Sequence, residues 1–201
     1  CKKIIYISSI PIIGTPVRVP VDEMHPTNPK TLYHLTKLFA EQYLKIIESK
    51  GVVSITLRIP SPIGPNMPKN KILTIFVDNC VNNNDISLYG EGKRKQNYID
   101  ILDIVDAVNN SISLDGSGVF NIAGRKSYSN IELANICKDV LKSSANIAFN
   151  NIPDPQEEDN WEIDTEKALK YMNFHPKVSI EESILKIAQY IKGEKNEVTN
   201  Y

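Results

Sequence analysis

Two short apolar runs, separated by a segment with helical spacing, open the chain. The runs KIIYISSI at 3–10 and VVSITLRI at 52–59 are rich in β-branched residues, as buried strands of a parallel sheet are. Between them, apolar residues recur every three or four positions over 30–49, and Gly51 follows where a helix C-cap is expected. The pattern therefore predicts a strand–helix–strand unit of a parallel α/β sheet.

The remaining two thirds of the chain continue this alternation. A loop at 60–70 follows the second strand, and the pattern then predicts helices at 72–81, 103–112, 129–141, 165–172 and 180–191. Two short strands around a Gly90/Gly92 turn and strands at 118–124 and 146–152 lie between them. We expect Asp103 to cap its helix, and Ser129 with Glu132 to form a capping box.

Composition and charge exclude several classes of function. The 201 residues are 41% hydrophobic and 23% charged, with a formal net charge of −1, so no basic field invites nucleic acid or an anionic membrane. No apolar run approaches the roughly 18 residues of a membrane span, and the chain opens on a strand pattern rather than a signal peptide. We therefore expect a cytoplasmic protein with no membrane and no nucleic-acid partner.

Cysteine and histidine spacing gives no sign of a metal site. The three cysteines, Cys1, Cys80 and Cys137, are far apart and form no Cys-x-x-Cys pair. The three histidines are equally scattered, so we expect no metal, no disulfide framework and a reduced compartment.

Chemistry-bearing residues follow the first two predicted strands. The first strand ends at Ser8-Ser9, the helix carries Tyr33 and Lys37 one turn apart, and the second strand leads into Pro60. Carboxyl ends of parallel strands meet at one edge of a sheet, where α/β proteins bind ligands. A tyrosine titrates near 10 and needs a nearby cation to act as a base at neutral pH, which a lysine one turn away supplies. A serine hydroxyl at the same edge can bond the same substrate oxygen.

Several stretches match, in order, the motifs of a known family. YISSIPIIG is followed by a loop with Glu23 and Pro29, by YHLTK with Glu41 downstream, and by LRIPSPIGP. Later come YGEGKRKQNYIDILDIVDAV, which matches the family's Gly-x-Gly hairpin, then GVFNIAG, SNIELA and IDTEKALKYMNFHPKVSIEESI. Over nearly the whole chain these resemble the extended short-chain dehydrogenase/reductases, in their NAD-dependent epimerase/dehydratase branch.

The resemblance implies an α/β fold, namely the carboxyl-terminal part of a doubly wound parallel (Rossmann-type) sheet plus a small mixed α/β substrate-binding lobe. Residues 1–64 and about 97–124 would form the Rossmann-type part, and about 65–96 with 125–192 the lobe. Residues 193–201 would be a frayed tail.

The resemblance also implies a mechanism and its residues. Tyr33, aided by Lys37, takes a proton from a substrate hydroxyl while hydride passes to NAD (or NADP), and Ser9 bonds the reacting oxygen. Lys37 would hold the nicotinamide ribose, and the backbone at Pro60 would lie against the nicotinamide. In a 4-epimerase the ketone intermediate turns over and takes the hydride back on its other face.

Three departures from the family pattern qualify these implications. None of the nine glycines forms the Gly-x-x-Gly-x-x-Gly turn that cradles a pyrophosphate, so we expect the first half of the dinucleotide fold to precede Cys1 and this chain to bind NAD poorly. Ile10 and Pro11 replace the Asp-Glu pair of the 4,6-dehydratases, which argues against dehydration.

The third departure concerns the substrate. Where relatives hold a diphosphate with two arginines, this chain has Gln96 and Asp154, and the loop Asn that often contacts substrate is Ser61. Arg94 and Lys95 are close enough in sequence to substitute. We therefore predict substrate contacts from Ser9, Ser61, Arg94 and Gln96 to a small molecule, expected to be a nucleotide sugar.

Three functions stay open on these residues. The first is part of a nucleotide-sugar 4-epimerase, the second a reductase or dehydrogenase of the same superfamily on a non-nucleotide substrate, and the third a catalytically inactive fragment. Family members often dimerise through the helix with the tyrosine and a helix that would precede the first strand here. A homodimer is therefore expected for the intact protein, and the oligomeric state of this chain stays open.

Overall fold

The computed structural model describes residues 1–193. Its elements follow in chain order: β1 (Lys3–Ser9), a 3₁₀ helix (Ile10–Ile13), α1 (Leu32–Glu48), β2 (Val53–Ile59), β3 (Ser61–Ile63), α2 (Ile72–Asn82), β4 (Ile86–Leu88), β5 (Lys95–Asp100), α3 (Ile101–Ile112), β6 (Gly118–Asn121), β7 (Ser127–Ser129), α4 (Asn130–Leu141), β8 (Ile147–Phe149), α5 (Glu166–Met172) and α6 (Ile180–Ile191). The chain forms two compact units.

The first unit comprises Cys1–Pro62, Gln96–Ser127 and Asp159–Lys177. Its sheet has the order β1-β2-β6 with parallel pairing throughout, and the register sets Ser9 opposite Ile59. Alternate residues of β1 point to opposite faces, so Tyr6 faces α1 whereas Ile5 and Ile7 pack in the core beneath α3. The predicted α/β class, with a parallel sheet covered on both faces, is confirmed.

The core of this unit joins distant parts of the chain. Ile55 and Leu57 of β2 pack with side chains of α3, β6 and the segment around α5. Ala168, Met172 and Phe174 are buried in that cluster, and Val21 bridges to Ile163. Residues 159–177, which the sequence assigned to the second lobe, therefore belong to the first unit, because their apolar side chains complete its core.

The second unit comprises Ile63–Lys95, Tyr128–Glu158 and Val178–Tyr201, of which the structure describes the part up to residue 193. Here β4 pairs with β8 in parallel, and α2, α4 and α6 pack against one another. Ser129 accepts from the Glu132 amide and the Glu132 side chain accepts from the Ser129 amide, so the predicted capping box is confirmed. Residues 194–201 of the expected frayed tail lie outside the described residues.

Several local predictions are wrong. Strands β4 and β5 belong to different sheets, so the Gly90/Gly92 segment is not a hairpin. The N-cap of α3 is Asp100, whose carboxylate accepts from the Leu102 amide at 2.9 Å, and Asp103 lies buried in the first turn, where it accepts from the Lys177 amide. Two short strands, β3 and β7, have too few residues to show a period, and they join β5 in a third sheet.

Candidate active site

The helix α1 starts at a well-formed N-cap. Thr31 has extended backbone geometry, and its hydroxyl accepts a hydrogen bond from the His34 amide at 3.2 Å. The cap fixes where the helix begins and therefore which residues face the sheet. Tyr33 and Lys37 lie one turn apart on the same side.

The ammonium of Lys37 is held between the strand β1 and two aromatic rings. Its Nζ donates to the Ile7 carbonyl at 2.8 Å. It also lies 5.0 Å from the centroid of the Tyr6 ring and 5.7 Å from that of the Tyr33 ring, both within the range of cation–π attraction. The cation that a tyrosine base requires is thus beside Tyr33.

The two hydroxyl side chains of the predicted trio are free of protein partners. Ser9 is buried at the end of β1, two residues after the carbonyl that holds Lys37. Tyr33 is 58% exposed. Within residues 1–193, neither hydroxyl makes a hydrogen bond, so both can bond a substrate oxygen.

Neighbouring titratable groups define the electrostatics of this corner. Burial, and then the charges of Glu41 and Tyr33, raise the pKa of Tyr6, which therefore stays a neutral phenol beside Lys37. Burial lowers the pKa of His34, whose ring meets the Tyr33 ring edge-on at 5.3 Å. The only cation beside Tyr33 among these groups is therefore Lys37.

Of the other predicted site residues, three lie in the first unit and one in the second. Pro60 and Ser61 directly follow β2 and are half-buried, and Gln96 lies in β5. Arg94 precedes β5 in the second unit. The structure thus brings Tyr33 and Lys37 together beside β1.

Arg94 lines a cavity of about 670 Å³ that lies within the second unit. Its Nε is buried without a partner, and the side-chain oxygen of Asn130, also in the lining, is buried and unpaired as well. Asp154 lines the same cavity and accepts from the Gln156 amide. Over the described residues, the Arg94 guanidinium makes no hydrogen bond, so its donors are available to a ligand.

Sequence reasoning missed a buried ion pair between Glu41 of α1 and Arg58 of β2. Arg58 Nε donates to one carboxylate oxygen of Glu41 at 3.0 Å and Nη2 to the other at 2.7 Å. The side chains are 6% and 1% exposed for Arg58 and Glu41. The signal was a lone charged residue in a strand whose other side chains are uncharged, because an arginine in a buried strand needs a buried partner.

The residues at the dehydratase position have a structural role. Ile10 is fully buried with Ile12, Ile13 and Val21 in a small core, and Pro11 is the second residue of the 3₁₀ helix after β1. An apolar side chain in that core cannot move a proton.

The described residues offer no metal site and no membrane-spanning helix. Among residues 1–193, no cluster of three or more His, Cys, Asp or Glu side chains is arranged to hold a metal ion. Cys80 and Cys137 are buried free thiols, and Cys1 is exposed. In the part of the chain that is described, no helix combines the length and apolar character that crossing a membrane requires.

Comparison with known proteins places this geometry in context. Residues 1–123 match the NAD dependent epimerase/dehydratase family. The chain is 27% identical over 199 residues to a putative UDP-glucose 4-epimerase of Methanocaldococcus jannaschii, covering 95% of this chain and 63% of that protein. It is 28% identical over 197 residues to the dTDP-4-dehydro-6-deoxyglucose reductase of Escherichia coli, covering 96% and 62%.

Solved structures show the same likeness. The UDP-N-acetylglucosamine 4-epimerase of Methanobrevibacter ruminantium M1, in complex with UDP-N-acetylmuramic acid, superposes with a TM-score of 0.85 and 26% identity, covering 96% of this chain and 64% of that one. The chain thus spans somewhat less than two thirds of the length of these relatives.

Proposed function

Because the chain belongs to the NAD dependent epimerase/dehydratase family, we propose that it forms part of an NAD-dependent nucleotide-sugar epimerase that inverts a hydroxyl-bearing carbon, as a 4-epimerase does. The observation that carries the proposal is the position of Lys37, whose ammonium is bonded to β1 and lies beside the Tyr33 ring. A lysine in that place stabilises a tyrosine anion, which is the base the reaction requires.

The roles of the three groups follow from their chemistry. Tyr33 accepts the proton of the substrate hydroxyl as the carbon is oxidised and returns it when the carbon is reduced. Lys37 stabilises the phenolate through its charge, at a site where the Ile7 carbonyl prevents the ammonium from moving away. Ser9 bonds the same substrate oxygen and orients it, since its hydroxyl has no other acceptor or donor in the described residues.

The residues present fit the nicotinamide-ribose end of a dinucleotide. An ammonium has three N–H donors, and Lys37 spends one on the Ile7 carbonyl, which leaves two for ribose hydroxyls. Pro60, at the end of β2, is the residue proposed to contact the nicotinamide. When bound, NAD or NADP supplies the two-electron oxidation of the substrate carbon and its reversal. No residue here is assigned to the pyrophosphate, because no glycine-rich turn is present in the sequence.

The cavity around Arg94 supports a nucleotide-sugar substrate. Its guanidinium is a fork of donors without a protein acceptor, which suits bidentate contact with a phosphate. The cavity also holds apolar and aromatic surface from Phe76 and Tyr89, against which a base or sugar can pack. Ser61 and Gln96 are proposed as further substrate contacts in the first unit.

A reductase is the second candidate. Gln96 and Asp154 stand where arginines would hold a diphosphate, which favours a substrate without a nucleotide. One of the relatives reported above is named a dTDP-4-dehydro-6-deoxyglucose reductase, so reduction is an activity found among the relatives of this chain. A reductase uses the same Tyr33, Lys37 and Ser9 but consumes reduced cofactor with each turnover. The missing glycine-rich turn favours a third candidate, a chain without activity of its own.

The outward face of α1 supports a homodimer of the complete protein. Five large apolar side chains repeat along it at helical spacing and are exposed: Leu32, Leu35, Phe39, Tyr43 and Ile46. An apolar stripe of this kind on a helix is the surface that a second copy can bury. Light scattering of the complete protein, with Phe39→Asp as the comparison, measures the oligomer that this face forms.

The decisive experiment incubates the complete protein with catalytic NAD and a panel of UDP- and dTDP-sugars. An epimerase produces the C4 epimer, followed by its anomeric proton signal in NMR, with no net change in NADH absorbance. The reductase is tested with NADH or NADPH and a set of non-nucleotide ketones and aldehydes, where it shows stoichiometric loss of the absorbance of the reduced cofactor. Neither an epimer nor a loss of reduced cofactor with any of these substrates would contradict the first two candidates, and calorimetry of this 201-residue chain with NAD tests the third.

A further inference from the structure

The elements that carry the proposed site are joined by the buried pair of Glu41 and Arg58. Tyr33, Lys37 and Glu41 are spaced four residues apart and thus form one stripe along α1, from the exposed Tyr33 to the buried Glu41. Arg58 lies opposite Ser8 in the parallel register, next to Ser9, and precedes Ile59 and Pro60. One ion pair therefore connects the stripe of α1 to the strand ends where the other groups lie.

The pair is part of a larger network in the first unit. Arg58 Nη1 also donates to the carbonyl of Glu23 at 3.2 Å. The Glu23 carboxylate accepts from the Asn121 amide at 2.8 Å, and the Asn121 side chain donates to the Val21 carbonyl at 3.0 Å. The loop between Ser9 and Tyr33 is thus tied to β2 by Arg58 and to β6 by Asn121.

The energetics point away from stability as the reason for this pair. Taking two charges out of water costs about as much as their attraction returns, and apolar side chains of similar volume often replace such pairs without loss. An apolar contact is non-directional, so it would let α1 slide or rotate on the sheet. A bidentate arginine–carboxylate pair has one preferred geometry and does not.

We propose that the Glu41–Arg58 pair positions the active-site helix, setting α1 on β1 and β2 so that Lys37 reaches the Ile7 carbonyl beside Tyr33. Glu41 and Arg58 are positioning residues that touch neither substrate nor cofactor. The inference rests on the proposed function only in taking Tyr33 and Lys37 as the acid/base pair. The placement of Lys37 is itself measurable without any turnover.

The test replaces both charges at once. Glu41→Met/Arg58→Met removes the pair and leaves apolar side chains, so the variant should unfold cooperatively at or above the wild-type midpoint. The readout is the NMR signal of the Lys37 Cε protons, assigned with Lys37→Arg, which carries ring-current shifts from Tyr6 and Tyr33. We expect that signal to move to the position of exposed lysines in the double variant.

A matched control uses an exposed pair of the same chemistry. Arg18 and Asp22 form a bidentate pair at 2.8 and 2.9 Å, with side chains 50% and 33% exposed. Arg18→Met/Asp22→Met should leave the Lys37 signal at its wild-type position. In the complete protein, the buried double variant should lower kcat by about tenfold to a hundredfold with little change in KM, because misplacement of a reacting group costs that much.

The inference would be overturned if the Glu41→Met/Arg58→Met variant folds and keeps both the Lys37 signal and the kcat of the wild type. If the double variant does not fold, the Arg58→Lys variant replaces it in the test. A lysine keeps the positive charge but cannot form the two parallel hydrogen bonds with the Glu41 carboxylate. A partial shift of the Lys37 signal in Arg58→Lys supports positioning, and an unchanged signal overturns it. If the protein has no epimerase or reductase activity, the proposed function is wrong, but the Lys37 NMR signal still tests the positioning role.

Discussion

The corner around β1 and α1 and the cavity around Arg94 differ in whether the protein supplies acceptors for their cationic side chains. In the first, the Lys37 ammonium and the Arg58 guanidinium are matched to acceptors on the strands and helix of the first unit. In the second, the Arg94 Nε is buried without a partner. Polar groups satisfied by the protein hold a geometry, whereas buried groups without a partner indicate a place that a ligand completes.

The difference suits the two proposed roles, acid/base catalysis for Tyr33 and Lys37 and ligand binding for Arg94. A base and its cation must stand in place before the substrate arrives, because reorganisation would raise the barrier. An arginine contributes most to the free energy of ligand binding when its donors have no acceptor until the ligand supplies one. The two sites should therefore respond differently to the loss of a single side chain, in turnover, in stability or in affinity.

The largest effect is expected from Tyr33→Phe. It removes only the hydroxyl of an exposed side chain that makes no hydrogen bond within residues 1–193, so the unfolding midpoint should not change. Turnover of the complete protein should fall by about 10² to 10⁴, the usual contribution of a general acid/base. Steady-state kinetics with the identified sugar, beside thermal unfolding, measures both. Tyr43→Phe, on the outward face of α1, is the matched control, and wild-type turnover in Tyr33→Phe would sink the mechanism.

Arg58→Met should destabilise the fold of the first unit. The Glu41 carboxylate then stays buried without its partner, which costs about 3–5 kcal/mol. Urea unfolding of the variant measures the loss. Arg94→Leu is the comparison: its guanidinium has no hydrogen-bond partner in the described residues, so unfolding free energy should stay near the wild-type value. If both variants lose the same free energy of unfolding, the proposed difference between the two sites is wrong.

Arg94→Leu should instead weaken substrate binding. A charge-assisted hydrogen bond contributes about 1.5–3 kcal/mol, which corresponds to roughly 10- to 100-fold in the dissociation constant of a nucleotide sugar. Calorimetric titration with UDP-sugars gives the value. Lys93→Leu serves as the control, because that exposed side chain pairs with Glu91 and does not line the cavity. If the Arg94→Leu variant binds UDP-sugars with unchanged affinity, the cavity is not part of the substrate site.

The smallest effect concerns pH and His34. Burial lowers its pKa, so the folded state binds the proton less tightly than the unfolded chain, in which histidine titrates near 6.5. The stability contribution is complete above about pH 6.5 and is lost as the pH falls through the folded pKa, because the unfolded state then holds more protons. His34→Gln should reduce the decline in unfolding free energy on acidification. If His34→Gln loses as much unfolding free energy on acidification as the wild type, other titratable groups cause that loss.

Local sequence patterns predict much of the fold. The strands β1 and β2, the helix α1 between them and the helix α6 were predicted within a few residues, because period and capping depend on neighbours in sequence. The Thr31 cap and the four-residue spacing suffice to place Tyr33 and Lys37 on one face of a helix. The candidate acid/base pair could therefore be named from the sequence.

Other features depend on contacts between residues that are far apart in the chain. The buried partner of Arg58, the membership of residues 159–177 in the first unit, and the different sheets of β4 and β5 were decided by packing. Local spacing carries no information about which distant side chain neutralises a buried charge or completes a core.

By itself, then, the sequence determined the α/β class, the strand–helix–strand unit and the identity of the candidate acid/base pair, because each is set by short-range periodicity and side-chain chemistry. Only the tertiary structure decided that Lys37 reaches the Ile7 carbonyl, that Glu41 and Arg58 lie together out of water, and that Arg94 keeps a buried donor unpaired. Those facts depend on desolvation and hydrogen bonding across the fold, which arise only when distant segments are brought together.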